Sequence, residues 1–92
     1  MHLSVELSMY PLQNDYKAKI KDFLKLLNDS HSGTDNSIEI RTTNMSTRIF
    51  GDFDTVNSLL NAAMKESMQR YGKIVFVCKY LQGDARELSS YQ

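Results

Sequence analysis

Glu6, Ser8 and Tyr10 occupy alternate positions of the stretch LSVELSMYPL, residues 3–12, with Ser4 at the head of the same row. A carboxylate, two hydroxyls and a phenol in one row can accept and donate hydrogen bonds, which suits them to hold a polar ligand. A carboxylate shielded from water must be paired, hydrogen-bonded or neutralised. For Glu6 a ligand, Arg41 or Arg48, and water are all open as partners. A second polar group, Asn44, Met45, Ser46 and Thr47, lies in the stretch TTNMST at 42–47. No nucleophile–base pair can be read from either set, so the residues point to binding rather than catalysis. His2 and His31 have no partners at metal-ligand spacing, and Cys78 is the only cysteine. That excludes an intrachain disulfide and a cysteine-rich metal site. No cofactor is implied.

The elements that must position these residues follow from periodicity. Leu3, Val5, Leu7 and Met9 alternate with the polar row, the period of a half-buried strand, and Pro11 ends it because it cannot donate to a ladder. Asn14 can cap a helix over 15–28, with Tyr16, Ile20, Phe23, Leu24 and Leu27 as its buried stripe and four lysines off it. The polar segment 29–36 reads as a loop. Residues 37–41 and 47–53 read as two antiparallel strands joined by a hairpin near Thr43–Ser46. Asp52 or Asp54 caps a second helix carrying Val56, Leu59, Leu60, Ala63, Met64, Met68 and Tyr71, and Gly72 stops it. The last strand, 73–81, is apolar on both faces: Ile74, Phe76 and Cys78 on one, Val75 and Val77 on the other. A polar, mobile tail is expected from Gln82.

The order βαββαβ predicts an α+β, ferredoxin-like sandwich, one domain over residues 1–92. Right-handed crossovers give an antiparallel sheet of order 4-1-3-2 with both helices on one face. Tyr10-Pro11, the 42–47 hairpin and Gly72-Lys73 then meet at one edge of the sheet. The other sheet face has no intrachain cover for Val75 and Val77, and exposed apolar surface of that kind marks an interface. A sheet-to-sheet homodimer is the economical solution, and it would enclose the Ser4–Tyr10 row.

Composition narrows the function classes. Eleven basic residues balance eleven acidic ones, which favours neither nucleic acid nor an anionic membrane. The central strands show Tyr10 and Phe50 but no RNA-recognition motif. The first strand–helix loop, YPLQND, lacks the cysteines of a metallochaperone and the arginine with glycine-rich turn of an acylphosphatase. No run approaches the roughly 18 apolar residues of a membrane span, so the chain is expected to be soluble and cytoplasmic.

Four stretches, VELSMYPL, TTNMST, IFGDFDTV and IVFVCKY, resemble in their joint order the YkoF-like thiamin-binding family. The sharpest parts are S-x-Y-P at Ser8–Pro11 and Gly51-Asp52 before the second helix. The resemblance implies binding of thiamin or its hydroxymethylpyrimidine precursor without chemistry on it, in salvage, transport or sensing. It also implies self-association through sheets; with a single domain, pairing must come from a second copy, and whether dimers pair further into tetramers is open. For such a ligand Ser8, Asn44, Ser46 and Thr47 could match the polar edge of an aminopyrimidine, Tyr10 or Met45 could cover its flat face, and Glu6 could offset the thiazolium charge. The alternative is an interaction module that assembles through its sheet face and binds no specific ligand.

Overall fold

In the computed structural model, which describes residues 1–12, 14–31, 38–43 and 46–86, the chain runs β1 (His2–Pro11), α1 (Tyr16–His31), β2 (Glu39–Thr42), β3 (Thr47–Asp52), α2 (Phe53–Tyr71) and β4 (Ile74–Gln82). The four strands form one antiparallel sheet in the order β2-β3-β1-β4, the ferredoxin-like arrangement read from the sequence. β1 is therefore central. It pairs with β3 from His2–Asp52 to Leu7–Thr47, and with β4 from Leu3–Gln82 to Pro11–Ile74.

The strand alternation puts Leu3, Val5 and Leu7 on the helix side, where they meet Phe23, Leu27, Ile49, Val56, Leu59, Leu60 and Ala63 in one buried cluster. Burying each such side chain contributes about 1.5–3 kcal/mol, which makes this layer the main stabilising element. Phe23 and Phe76 pack with ring centroids 5.0 Å apart and tie α1 to the edge strand β4. Met9, Leu24, Phe76 and Cys78 pack partly buried against the cluster. Partial burial pushes the Cys78 thiol up in pKa.

The helix ends are set by local chemistry. The Asp52 carboxylate accepts from the Thr55 N–H at 3.3 Å and from its hydroxyl at 3.2 Å, capping α2. Gly72 follows α2 at φ 84°, and its N–H closes on the Met68 carbonyl at 2.8 Å; a side chain there would be strained. α1 begins one residue later than the expected start at Asp15. Asp15 sits at φ 61° outside the helix, and its carbonyl accepts from Ala18 and Lys19, so it takes the capping place expected of Asn14. The helix also runs past Asn28. That side chain donates back to the Leu24 carbonyl at 2.8 Å, and the helix continues to His31. The expected strand start at Ser37 and most of the expected 29–36 loop lie outside the described residues.

One feature corrects the sequence reading. The segment after β4 is not a free tail up to Arg86: residues 83–86 fold back over the open sheet face as a short strap. The Ser4 hydroxyl donates to the Gly83 carbonyl at 2.7 Å and accepts from the Ala85 N–H at 2.8 Å. This strap is why Ser4, on the polar row, is only 4% exposed. Residues 87–92 lie outside the described residues. The core also contains a serine: Ser67 of α2 is wholly buried, and its hydroxyl finds no hydrogen-bond partner among the described residues.

On the outer side the helices are clamped by Asp22 of α1, which accepts from the Tyr71 hydroxyl at 2.8 Å and from Arg70 at 2.9 Å. The Tyr71 hydrogen bond, followed by Arg70, holds the Asp22 carboxyl below its usual range.

Two predictions follow from this packing. Ser67→Ala removes a buried unsatisfied hydroxyl and improves helix propensity, so it should stabilise the fold by roughly 0.5–1.5 kcal/mol in urea unfolding, whereas Leu60→Ala should cost about 2–5 kcal/mol. Because the folded Asp22 pKa is depressed, its stabilising effect is present above the unfolded value near 3.9 and is lost as pH falls through the folded value. Tyr71→Phe should therefore be less stable than the parent at pH 7, and the gap should close below about pH 4 when unfolding is followed across pH.

Candidate functional site

The unequal ladders of β1 create the first concave place. From Ser8 to Pro11 the strand keeps β4 as a neighbour, but its ladder with β3 ends at Leu7–Thr47 among the described residues. There the β2–β3 hairpin closes, with the Thr43 N–H donating to the Ser46 carbonyl at 2.9 Å. The first turns of α1 lie over the vacated strip. The result is a cleft of about 530 Å³ lined by Leu7 to Leu12, by Tyr16, Ile20, Phe23 and Leu24 of α1, and by Thr42, Thr43, Ser46 and Thr47.

The backbone adds polar groups to this cleft. The Leu12 N–H donates to the Lys73 carbonyl, and the Gly83 N–H to the His2 carbonyl, so even-numbered residues of β1 turn their main-chain groups toward β4. The Met1 carbonyl accepts from the Phe53 N–H on the opposite side. The same alternation turns the Met9 N–H and carbonyl toward the β3 side of the strand. The side-chain groups are mostly hydroxyls. Thr42 and Thr47 approach at 3.4 Å, and the Thr43 hydroxyl donates to the Ser46 carbonyl at 3.3 Å. The Ser46 hydroxyl donates to Glu6 Oε2 at 3.1 Å, which leaves its oxygen to accept. Tyr10 and Tyr16 are 53% and 52% exposed at the rim, and buried Phe23 forms part of the floor.

Of the seven residues singled out in the sequence, Ser8, Tyr10, Ser46 and Thr47 come together here. Thr47 pairs with Leu7 and so belongs to the helix side of the sheet, where it is buried. Glu6 lies on the opposite, open face and touches the cleft only through Ser46. Its ion pair is with Lys79 at 3.6 Å, and neither Arg41 nor Arg48 is within ion-pair distance of it. Asn44 and Met45 lie outside the described residues. Tyr16 and Phe23 also line the cleft. Both are in the helical stripe of the sequence; only the helix's place over the broken ladder distinguishes them from plain core residues.

The second concave place is a cavity of about 640 Å³ on the open sheet face, bordered by Glu6, Arg41, Arg48, Phe50, Lys79 and Arg86 among others. Arg86 of the strap bonds Asp84 at 2.6 Å and Glu39 at 2.9 Å, and Glu39 also bonds Arg41. The two guanidinium groups, Arg41 first, hold the Glu39 carboxyl below its usual range, and Arg86 holds Asp84 far below it. Beyond this charged half, β4 presents Val75, Val77 and Leu81 to solvent, each more than two-fifths exposed.

Comparison with known proteins agrees with this architecture. The structure superimposes on protein SP2199 of Streptococcus pneumoniae with a TM-score of 0.79 at 19% identity, covering 99% of this chain and 97% of that one. A protein of Thermotoga maritima suggested to act in thiamine biosynthesis or salvage gives a TM-score of 0.77 at 11% identity, with both chains covered completely. A domain of unknown function, DUF77, from Bacillus cereus gives 0.75 at 11% identity, covering all of this chain and 91% of that one. At these identities the likeness shows the fold alone. No curated protein matches the sequence. The model of the YkoF-related family, however, matches residues 2–81, nearly the whole length of the sheet and helices. The chain is thus a member of the YkoF-related family.

Proposed function

We propose that this protein binds thiamin or its hydroxymethylpyrimidine moiety in the cleft at the end of β1 and does no chemistry on it. The observation that carries the reading is the cleft itself, an apolar recess with aromatic residues at its rim and floor and a row of hydroxyls along one side. An aminopyrimidine offers acceptor ring nitrogens, a donor amine and a flat apolar face. Hydroxyls can serve both polar roles, and Tyr10, Tyr16 and Phe23 supply surface for the ring. Ser46, its proton given to Glu6, is left to accept from the amine. A thiazolium reaching toward the open face would meet the Glu6 carboxylate. Family membership and the suggested thiamine role of the Thermotoga neighbour support the same ligand class.

The exposed strip of Val75, Val77, Leu81 and Tyr10 favours a second element of the reading, a homodimer through the open sheet face. Were that strip the whole of the function, the protein would be an assembly module with no specific ligand.

Calorimetry with thiamin and with hydroxymethylpyrimidine tests the binding reading. Saturable binding is expected, with a gain of about 2.7 kcal/mol in stability at 100 times the dissociation constant. Tyr16→Ala, at an exposed rim position, should weaken binding at least about tenfold, or roughly 1.4 kcal/mol. Ser8→Ala should cost about 1 kcal/mol. Unchanged affinity in both variants would move the ligand out of the cleft, and no binding at millimolar ligand would leave only the assembly module. For assembly, sedimentation should show a dimer at micromolar concentration, and Val77→Glu should convert it to a folded monomer.

A further inference from the structure

The β2–β3 half of the open sheet face carries charge that the thiamin reading does not use. Arg41 and Arg48 stand directly opposite each other across the β2–β3 ladder. A like-charged cross-strand pair is destabilising unless negative charge sits with it. Arg41 has Glu39 as its partner. Arg48 has no carboxylate within ion-pair distance among the described residues. Its neighbour across the β1–β3 ladder is Glu6, whose oxygens face the Ser46 hydroxyl at 3.1 Å and the Lys79 ammonium at 3.6 Å rather than Arg48.

The strap adds a third guanidinium to this place. Arg86, fixed by Asp84 and Glu39, lies 5.7 Å from the centroid of the Phe50 ring, and Arg41 lies 5.4 Å from it. Both contacts hold cations close to the open-face cavity of about 640 Å³. Among the described residues around it, Arg41, Arg48, Lys79 and Arg86 outnumber the carboxylates of Glu6, Glu39 and Asp84, and the cation without a carboxylate at ion-pair distance is Arg48.

We propose that Arg41 and Arg48 form a binding site for an oxoanion, the carboxylate or phosphate group of a small molecule seated on the open face over Phe50. A guanidinium presents planar paired donors that match either group, and an anion between the two arginines removes the cross-strand repulsion. Arg48 is the principal ligand, since among the described residues its charge is the one without a carboxylate at ion-pair distance. Arg86 and Arg41 keep their carboxylate partners and contribute field rather than a free fork. The site is separate from the cleft under α1 and does not depend on its ligand.

Titration of the protein with inorganic phosphate and with acetate, each at constant ionic strength and followed by amide chemical shifts, tests the proposal. The expected result is saturable binding of at least one anion, with shifts centred on residues 41, 48 and 50; the anion that saturates identifies the group. Arg48→Gln should weaken that binding at least tenfold. Lys21→Gln, which removes one charge from an exposed position on α1, should leave it unchanged. Shifts that rise linearly for both anions, or that fall equally in the two variants, would overturn the site and reduce the interaction to general screening. Hydroxymethylpyrimidine affinity measured in Arg48→Gln separates this site from the cleft: that moiety carries no thiazolium to reach Glu6, so its affinity should stay as in the parent.

Discussion

The structure depends on the double pairing of β1. A central strand must satisfy two ladders at once, and here they have different lengths: six registered pairs with β3 and nine with β4. Where both ladders run, the sheet is continuous and its helix side packs into a dry core. Beyond Leu7 only one ladder continues. Among the described residues no β3 pair continues the ladder there, and a recess opens between strand, hairpin and helix. The cleft is thus a direct product of strand length, requiring no special residue to hold it open. What the residues decide is its lining, which the pleat sorts into hydroxyls and apolar surface.

The two faces of the sheet solve different problems. On the helix side, burial of Leu3, Val5, Leu7 and Ile49 supplies stability, and polar groups are few. On the open side the same strands carry a graded surface, charged over β2 and β3 and aliphatic over β4. Glu39 lies between two guanidinium groups, which hold its carboxyl below the usual range, and Glu6 lies between a hydroxyl and an ammonium.

Much of this was legible in the sequence because it rests on local periodicity. The period-two row of β1, the stripe of α2, the Asp52 cap and the Gly72 stop each use contacts within a few residues, and together they dictate the βαββαβ order. The joint order of four motifs also carried the family. The remainder depends on contacts between distant residues. The strap is made by the Ser4 hydroxyl bonding in both directions to residues 79 and 81 positions away, and no local pattern of QGDAR announces it. Tyr16 and Phe23 fall in one helical stripe, yet one reaches the cleft rim and the other its floor, because the helix axis crosses the end of a ladder whose length only the folded sheet determines. Glu6 and Ser8 share a strand face in sequence, but Ser8 borders the cleft while Glu6 stays on the open side.

The partnership of β1 with β4 sets the order in which the molecule can be completed. The second strand of the longest ladder is the last of the described elements, so one edge of the central strand stays unpaired until β4 has been made. During synthesis, β1, the hairpin and the two helices can assemble first, leaving a template of unpaired amides and the aliphatic row of Leu3, Val5 and Leu7 short of one neighbour. Non-local pairing of this kind is intrinsically slow and leaves an edge that another chain could occupy. The strap follows β4 in the chain, and by bonding Gly83 and Ala85 to Ser4 it fastens that ladder to the first strand and ends the interval in which a neighbouring nascent chain could exchange strands.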